Sequence, residues 1–169
     1  DLGSGGAQKQ LVSTVIGLSK VGHNVDVYLY NFRNKFFEKE LIKEKINIIK
    51  NIKRKKGFSP KVVSNLREKL KFNRYQVAVS FLNSSCMYLL VSSIGLPIKI
   101  IFAERSSYLN FQIELFAILQ RQLYRFANHI VCNSETQKNW LIDKVKIKKE
   151  KVSVIYNGYN LDKVNKKIT

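Results

Sequence analysis

Acidic residues are scarce in this chain: 12 Asp and Glu stand against 30 Lys and Arg in 169 residues, a formal net charge of +18 at pH 7. Cysteine is scarcer still, with only Cys86 and Cys132. Both sit in apolar surroundings, far apart in sequence. That excludes a disulfide scaffold and makes free thiols in a reducing compartment the expectation. The chain has no metal-type Cys/His spacing, so no metal site is expected. No apolar run approaches the roughly 20 residues that span a bilayer, and residues 87–96 are too short. No signal peptide, internal repeat or low-complexity tract is visible. The basic charge is accompanied by no recognition-helix or RNA-sheet signature, so nucleic acid is not an expected partner.

The remaining composition is ordinary. Apolar residues make up 45 % and charged residues 25 %, which suits one globular domain able to bury a core.

The first 23 residues, DLGSGGAQKQLVSTVIGLSKVGH, carry the densest signal. Gly3, Gly5 and Gly6 allow a sharp turn and close approach of another molecule. A helix follows over residues 7–21, with Leu11, Val12, Val15, Ile16 and Leu18 on one face. Its open N–H groups and its dipole make a ready anion site. The glycine spacing is not the dinucleotide pattern, and no acidic residue closes a ribose site; a plain tight turn is the alternative. A strand over 24–30 comes next. Loop, helix and strand make two-thirds of a βαβ unit, so a first strand is expected before Asp1, and the front of the domain is expected to be missing.

Alternation continues along the chain. Strands are predicted at 46–49, 77–81, 98–102, 129–132 and 152–155. Helices are predicted at 59–70, opened by Ser59 and Pro60, at 83–94 before Gly95, at 109–126 and at 135–145 after Ser134. The helix at 109–126 carries Phe111, Leu115, Leu119, Leu123 and Phe126 along one stripe. The pattern predicts an α/β fold, a Rossmann-like parallel sheet with helices on both faces.

Open α/β sheets bind ligands at the carboxyl ends of their strands. The polar residues there are Asn31 and Arg33, Asn83 to Ser85, Glu104 to Ser107, Asn133 to Glu135, and Asn157 with Gly158. Glu104, Arg105 and Ser106 are the densest group. Arg105 offers a planar fork for diphosphate or carboxylate. Glu104 is assigned to positioning an acceptor hydroxyl, with base chemistry second. The alternative is an intramolecular Glu–Arg pair that only ties the strand end to its neighbours. Arg121 and Arg125, one turn apart, are expected on a solvated helix face, with phosphate binding as the alternative, and His23 is expected at a helix end.

Several segments in order carry a family resemblance: Gly5-Gly6-Ala7-Gln8, Gly22-His23-Asn24-Val25, Ala103-Glu104-Arg105-Ser106, residues 123–131, Ser134-Glu135, and Val154-Ile155-Tyr156-Asn157-Gly158. Together they resemble the N-terminal half of a family 4 glycosyltransferase, over roughly 1–35 and 76–165. The Glu-Arg-Ser triplet resembles a subset acting on lipid-linked oligosaccharides and capsules; many relatives have His there. The resemblance implies one half of a GT-B enzyme, with a retaining, metal-free and cofactor-free reaction. Residues 1–160 would hold the acceptor, and 161–169 would open the interdomain linker. The donor-domain signature, a Glu repeated eight positions on, is absent, so this chain alone is not expected to be a complete catalyst. The implied partners are a nucleotide-sugar donor, UDP-linked by expectation, and a lipid-linked or glycan acceptor. Gly5, Gly6, Ser106 and Asn157 would bind substrate phosphate; Glu104 and Arg105 would carry the chemistry.

Residues 31–75 hold 15 Lys and Arg against 4 Asp and Glu. Lys53-Arg54-Lys55-Lys56 forms a basic knot, with Phe36, Phe37, Phe58 and Phe72 in the same segment. Such a patch is attracted to an anionic membrane surface. The expected location is therefore cytoplasmic, peripheral to the inner face of the cell membrane. Two alternatives stay open: a merely compositional excess of Lys, and a non-catalytic anion- or membrane-binding Rossmann-like module.

Overall fold

The structure is a computed structural model that describes residues 1–31, 34–51, 57–105 and 111–158, the side chains of residues 111–114 and 116 excepted. The basic knot at 53–56, Arg33 and Ser106 lie outside the described residues.

Alternating β-strands and helices follow the sequence pattern closely. Helix α1 spans Gly6–Lys20 and is followed by β1 at Asp26–Leu29. Helix α2 (Glu38–Lys43) precedes β2 (Asn47–Lys50), and α3 (Pro60–Phe72) precedes β3 (Val77–Phe81). Next come α4 (Asn83–Ser93), β4 (Lys99–Glu104), α5 (Phe111–Arg121), β5 (His129–Cys132), α6 (Glu135–Asp143) and β6 (Val152–Val154). Strand pairing is parallel throughout, as helical crossovers between consecutive strands require.

The Rossmann-like α/β fold is the one expected, but its strands fall into two sheets. One has the order β1-β2 and the other β3-β4-β5-β6. Each sheet has its own core. Val62, Leu66 and Leu70 recur on one face of α3 and meet Leu89, Phe102, Ile130 and Leu141 beneath the four-stranded sheet. Leu2, Val12, Val15, Val27, Leu29 and Leu41 form the core around β1 and β2.

Local chemistry explains the element ends. Gly22 adopts φ +93° just past α1, where the His23 N–H returns to the Leu18 carbonyl. Gly95, at φ +72°, follows the already extended Ile94 in a turn past α4, closed by the Leu96 N–H donating to the Ser93 carbonyl at 2.9 Å. Pro60 stands at the first position of α3, although the Ser59 hydroxyl makes no capping bond. Ser134 does cap, its Oγ accepting from the Gln137 N–H at 3.3 Å. Helix α2 was not foreseen. It has only six residues, too few for a readable period, and it is pinned by the fully buried Leu41.

The long helix expected at 109–126 differs in two ways. The α-helix ends at Arg121, and residues 122–126 continue as a 3₁₀ turn. Its buried face is also not the apolar stripe. Leu115 and Leu119 are 55 % and 62 % exposed and Phe126 is exposed too, while Ala117, Arg121 and Tyr124 are buried. Arg121, expected on a solvated face, therefore points inward because a buried carboxylate awaits it.

A candidate anion site at the carboxyl edge of the sheet

Helix α1 begins with its donors uncovered. Its N-cap is Gly5, which has no side chain to accept from the first turn, and that turn holds no acidic residue. The loop ahead of it is held by the Asp1 carboxylate, which accepts from the Gly3 N–H and the Gln8 amide, both at 3.3 Å. The Leu2 N–H donates to the Asn34 carbonyl at 3.2 Å, tying the loop to the segment after β1. A Cβ at Gly6 would meet nothing within 4 Å, so the space above this residue is open. At Gly5 a Cβ would come within 2.5 Å of the Gln8 amide oxygen, the movable end of a flexible side chain.

Gly6, Ala7 and Gln10 of α1 form one wall of a small cavity of about 130 Å³. Arg105, Asn133 and Asn157 form the other. These three residues follow β4, β5 and β6, so successive strand ends deliver them to one place. The fold thus brings together Gly6, Arg105 and Asn157, three residues that the sequence marked separately. Gly5 adjoins the cavity as the helix cap. Asn133 and Gln10 were not assigned to the site. Asn133 stood among the polar residues at strand ends with nothing to rank it, and Gln10 becomes legible only once α1 is known to lie over that edge.

Arg105 is held from two sides. Its Nη1 donates to the Asn157 Oδ1 at 2.8 Å, and its guanidinium lies 5.6 Å from the centre of the Phe81 ring. Its Nε is buried and has no hydrogen-bond partner among the described residues. Burial lowers the Arg105 pKa from its ordinary value, yet a guanidinium stays charged throughout the physiological range. A buried donor without a partner is costly. An anion entering the cavity would meet Arg105 on one side and the first turn of α1 on the other. The Gln10 amide donates to the Gly158 carbonyl at 3.3 Å, so the segment after β6 is fastened to the same helix.

Glu104 has a different position. It is 2 % exposed. Its Oε2 accepts from the Arg121 Nε at 2.8 Å and from the Tyr124 hydroxyl at 3.0 Å. Its Oε1 accepts from Arg121 Nη2 at 3.3 Å and from the Arg105 N–H at 3.1 Å. Burial keeps the Tyr124 hydroxyl far above the usual phenol range, so it stays a donor. A carboxylate engaged on both oxygens and closed to solvent does not reach an acceptor hydroxyl. The geometry gives Glu104 the tying role instead, with Arg121 as its partner rather than the adjacent Arg105.

Leu82 joins β3 to α4 at φ +78° and ψ 144°, a region that glycine adopts and other residues enter only under strain. No sequence signal marks it. Next to it, Asn83 donates its amide to Gln120 at 2.5 Å and leaves a buried Oδ1 without a partner among the described residues.

This parallel α/β domain thus sets an open helix N-terminus, an arginine and two asparagines around one cavity at its strand ends. The glycosyltransferase family 4 model matches residues 4–163, and the chain belongs to that family. No curated protein matches it. Among solved structures it resembles a glycosyltransferase from Rickettsia africae ESF-5, at 19 % identity and a TM-score of 0.71, over 94 % of this chain and 41 % of that one. It also resembles Anabaena Alr3699/HepE in complex with UDP-glucose, at 16 % identity and a TM-score of 0.74, over 99 % of this chain and 47 % of that one. The same Anabaena protein in complex with UDP and glucose gives 15 % identity and a TM-score of 0.72, over 97 % and 47 %. The chain thus spans less than half the length of each. The shared fold is that of the N-terminal domain of GT-B glycosyltransferases.

Proposed function

We propose that this chain is the acceptor-side domain of a retaining glycosyltransferase that moves a sugar from a UDP-linked donor to a lipid-linked or polysaccharide acceptor. The observation that carries the reading is the cavity shared by Gly6, Ala7, Gln10, Arg105, Asn133 and Asn157. The family supplies the transferase class, and the UDP and UDP-glucose bound by Anabaena HepE support a nucleotide-sugar donor. Transfer leaves a diphosphate whose charge grows in the transition state. Fixed donors aimed at that charge are an effective way to lower such a barrier. Here the first-turn amides of α1 beyond Gly5 and Gly6, the Arg105 fork and the Asn157 amide take that part. Retention rests on the family resemblance; in that chemistry the departing phosphate can accept the acceptor's proton, and no side-chain base is needed. Glu104 acts through its neighbours, by fixing the end of β4 from which Arg105 projects. The basic charge of the chain supports work at the inner face of the cell membrane.

Titration of the chain with UDP-glucose, read from amide NMR shifts, tests the reading. Shifts should centre on Gly6 and Ala7. Arg105→Ala should weaken binding by tenfold or more, the scale of a lost charge-assisted hydrogen bond. Equal binding by the variant, with shifts elsewhere, would reject it.

A further inference from the structure

Arg105 belongs to a closed ring of contacts. Its guanidinium lies over the Phe81 ring, 5.6 Å from the centre. Phe81 leads through Leu82 into Asn83, the first residue of α4. The Asn83 Nδ2 donates to the Gln120 Oε1 at 2.5 Å, and the Arg121 Nη1 donates to the same oxygen at 3.1 Å. Arg121 holds Glu104, whose Oε1 accepts from the Arg105 N–H at 3.1 Å, and the ring is complete. Every link in it is covalent or carries a charge except one, the neutral amide pair of Asn83 and Gln120. The turn that this pair fastens is unfavourable in itself. Leu82 holds φ +78°, a conformation that persists only where its surroundings impose it. Asn83 leaves its buried Oδ1 without a partner among the described residues, which also costs free energy. The orientation is forced. The Arg121 guanidinium only donates, so Gln120 must turn its oxygen to it, and Asn83 must then offer its NH₂. Two unfavourable features thus meet in adjacent residues, directly after the aromatic ring that supports Arg105.

We propose that Asn83 and Gln120 are positioning residues for the anion site: their bond holds the strained Leu82 turn and, through Phe81, sets where the Arg105 guanidinium points. Neither residue lines the cavity, so neither meets the anion; Arg105 does, from the place that this clamp gives it. When the bond is lost, the turn relaxes and Phe81 shifts. Arg105 then loses its aromatic support and keeps the bond to Asn157. The effect of the clamp on binding rests on the proposed function; its effect on the placement of Arg105 does not.

Two isosteric substitutions test this, because the two ends of the bond make different demands. Gln120 only accepts there, so Gln120→Glu keeps both bonds to its oxygen. Asn83 must donate, so Asn83→Asp loses the bond: Gln120 can turn its NH₂ toward the new carboxylate only by leaving Arg121. Each variant adds one negative charge, so the general electrostatic effect on anion binding is matched between them. The first readout needs no ligand. The Arg105 Nε–H is buried, which slows its exchange with water, and it is followed by NMR in the 169-residue chain. In Asn83→Asp its signal should leave the position that the Phe81 ring current gives it and exchange about fivefold faster, as one lost hydrogen bond implies. In Gln120→Glu both properties should match the parent. The second readout is affinity for UDP-glucose, which should fall about fivefold further in Asn83→Asp than in Gln120→Glu. Asn83→Ala and Gln120→Leu add no charge and should each move the Arg105 signal as Asn83→Asp does; the two combined should be no worse than either alone. An Arg105 signal that stays in place when the bond is removed, whatever the melting temperature does, overturns the proposal. So does a signal that moves equally in Asn83→Asp and Gln120→Glu. A parent chain that binds no UDP-glucose would defeat the proposed function, while the Arg105 signal would still decide the placement.

Discussion

Glu104 and Arg105 are neighbours in sequence and opposites in role. Successive residues of a strand point to opposite faces, so the last residue of β4 turns into the core while the next turns toward the cavity. Glu104 meets Arg121 seventeen residues later, a pairing that nothing local announces. Removing one partner of a buried ion pair leaves the other charge uncompensated, at a cost of about 3–5 kcal/mol. Glu104→Gln should therefore lower the melting temperature by about 10 °C, with any transferase activity falling in step. Arg105→Ala, at a partly open position, should leave melting nearly unchanged while weakening anion binding. Thermal melts of the two variants separate these roles. A Glu104→Gln protein that melts normally but fails in transfer would return Glu104 to acceptor chemistry.

Helix α5 shows where a hydrophobic pattern misleads. Leu115 and Leu119 sit four residues apart and read as a core face, yet both are largely exposed. The inward face is Ala117, Arg121 and Tyr124, at spacings of four and three, chosen by the carboxylate at the end of β4. Ala117 lies at the contact, fully buried. The prediction follows directly. Leu119→Gln should change stability by no more than about 0.5 kcal/mol. Ala117→Leu should overpack the interface and cost about 1–3 kcal/mol. Denaturant melts of both variants check this, and the reverse ranking would restore the apolar stripe as core. Elsewhere the elements were legible. The strands at 77–81 and 129–132 and the helix starts at Pro60 and after Ser134 stand where alternation and capping residues placed them. What stayed hidden was pairing between elements. The sequence marked Gly6, Arg105 and Asn157 by local type, but only the sheet order shows that they share a cavity with Gln10 and Asn133. The split between β1 and β3 is likewise a property of edges, which side-chain patterns do not encode.

At the scale of the whole molecule the net charge of +18 governs long-range behaviour. Basic side chains outnumber acidic ones by so much that one-to-one pairing cannot neutralise them. Among the described residues no helix is long and apolar enough to cross a membrane. The charge of the chain should drive binding to anionic vesicles. Binding should rise with the anionic lipid fraction and fall with salt, because exposed charges are screened over about 8–10 Å at physiological strength. Whether the attraction is a patch or only the total can be decided by substitution. Changing Lys53, Arg54, Lys55 and Lys56 to Gln takes the formal charge from +18 to +14, four charges fewer. Changing the exposed Lys144, Lys146, Lys148 and Lys149 removes the same number. Each basic residue close to an anionic surface contributes about 1 kcal/mol. A docking patch at 53–56 should therefore lose tenfold or more in vesicle affinity, while the second variant loses much less. Equal losses would mean that affinity follows net charge and that the basic excess is compositional. Equal binding of the parent chain to neutral vesicles would remove the electrostatic basis altogether.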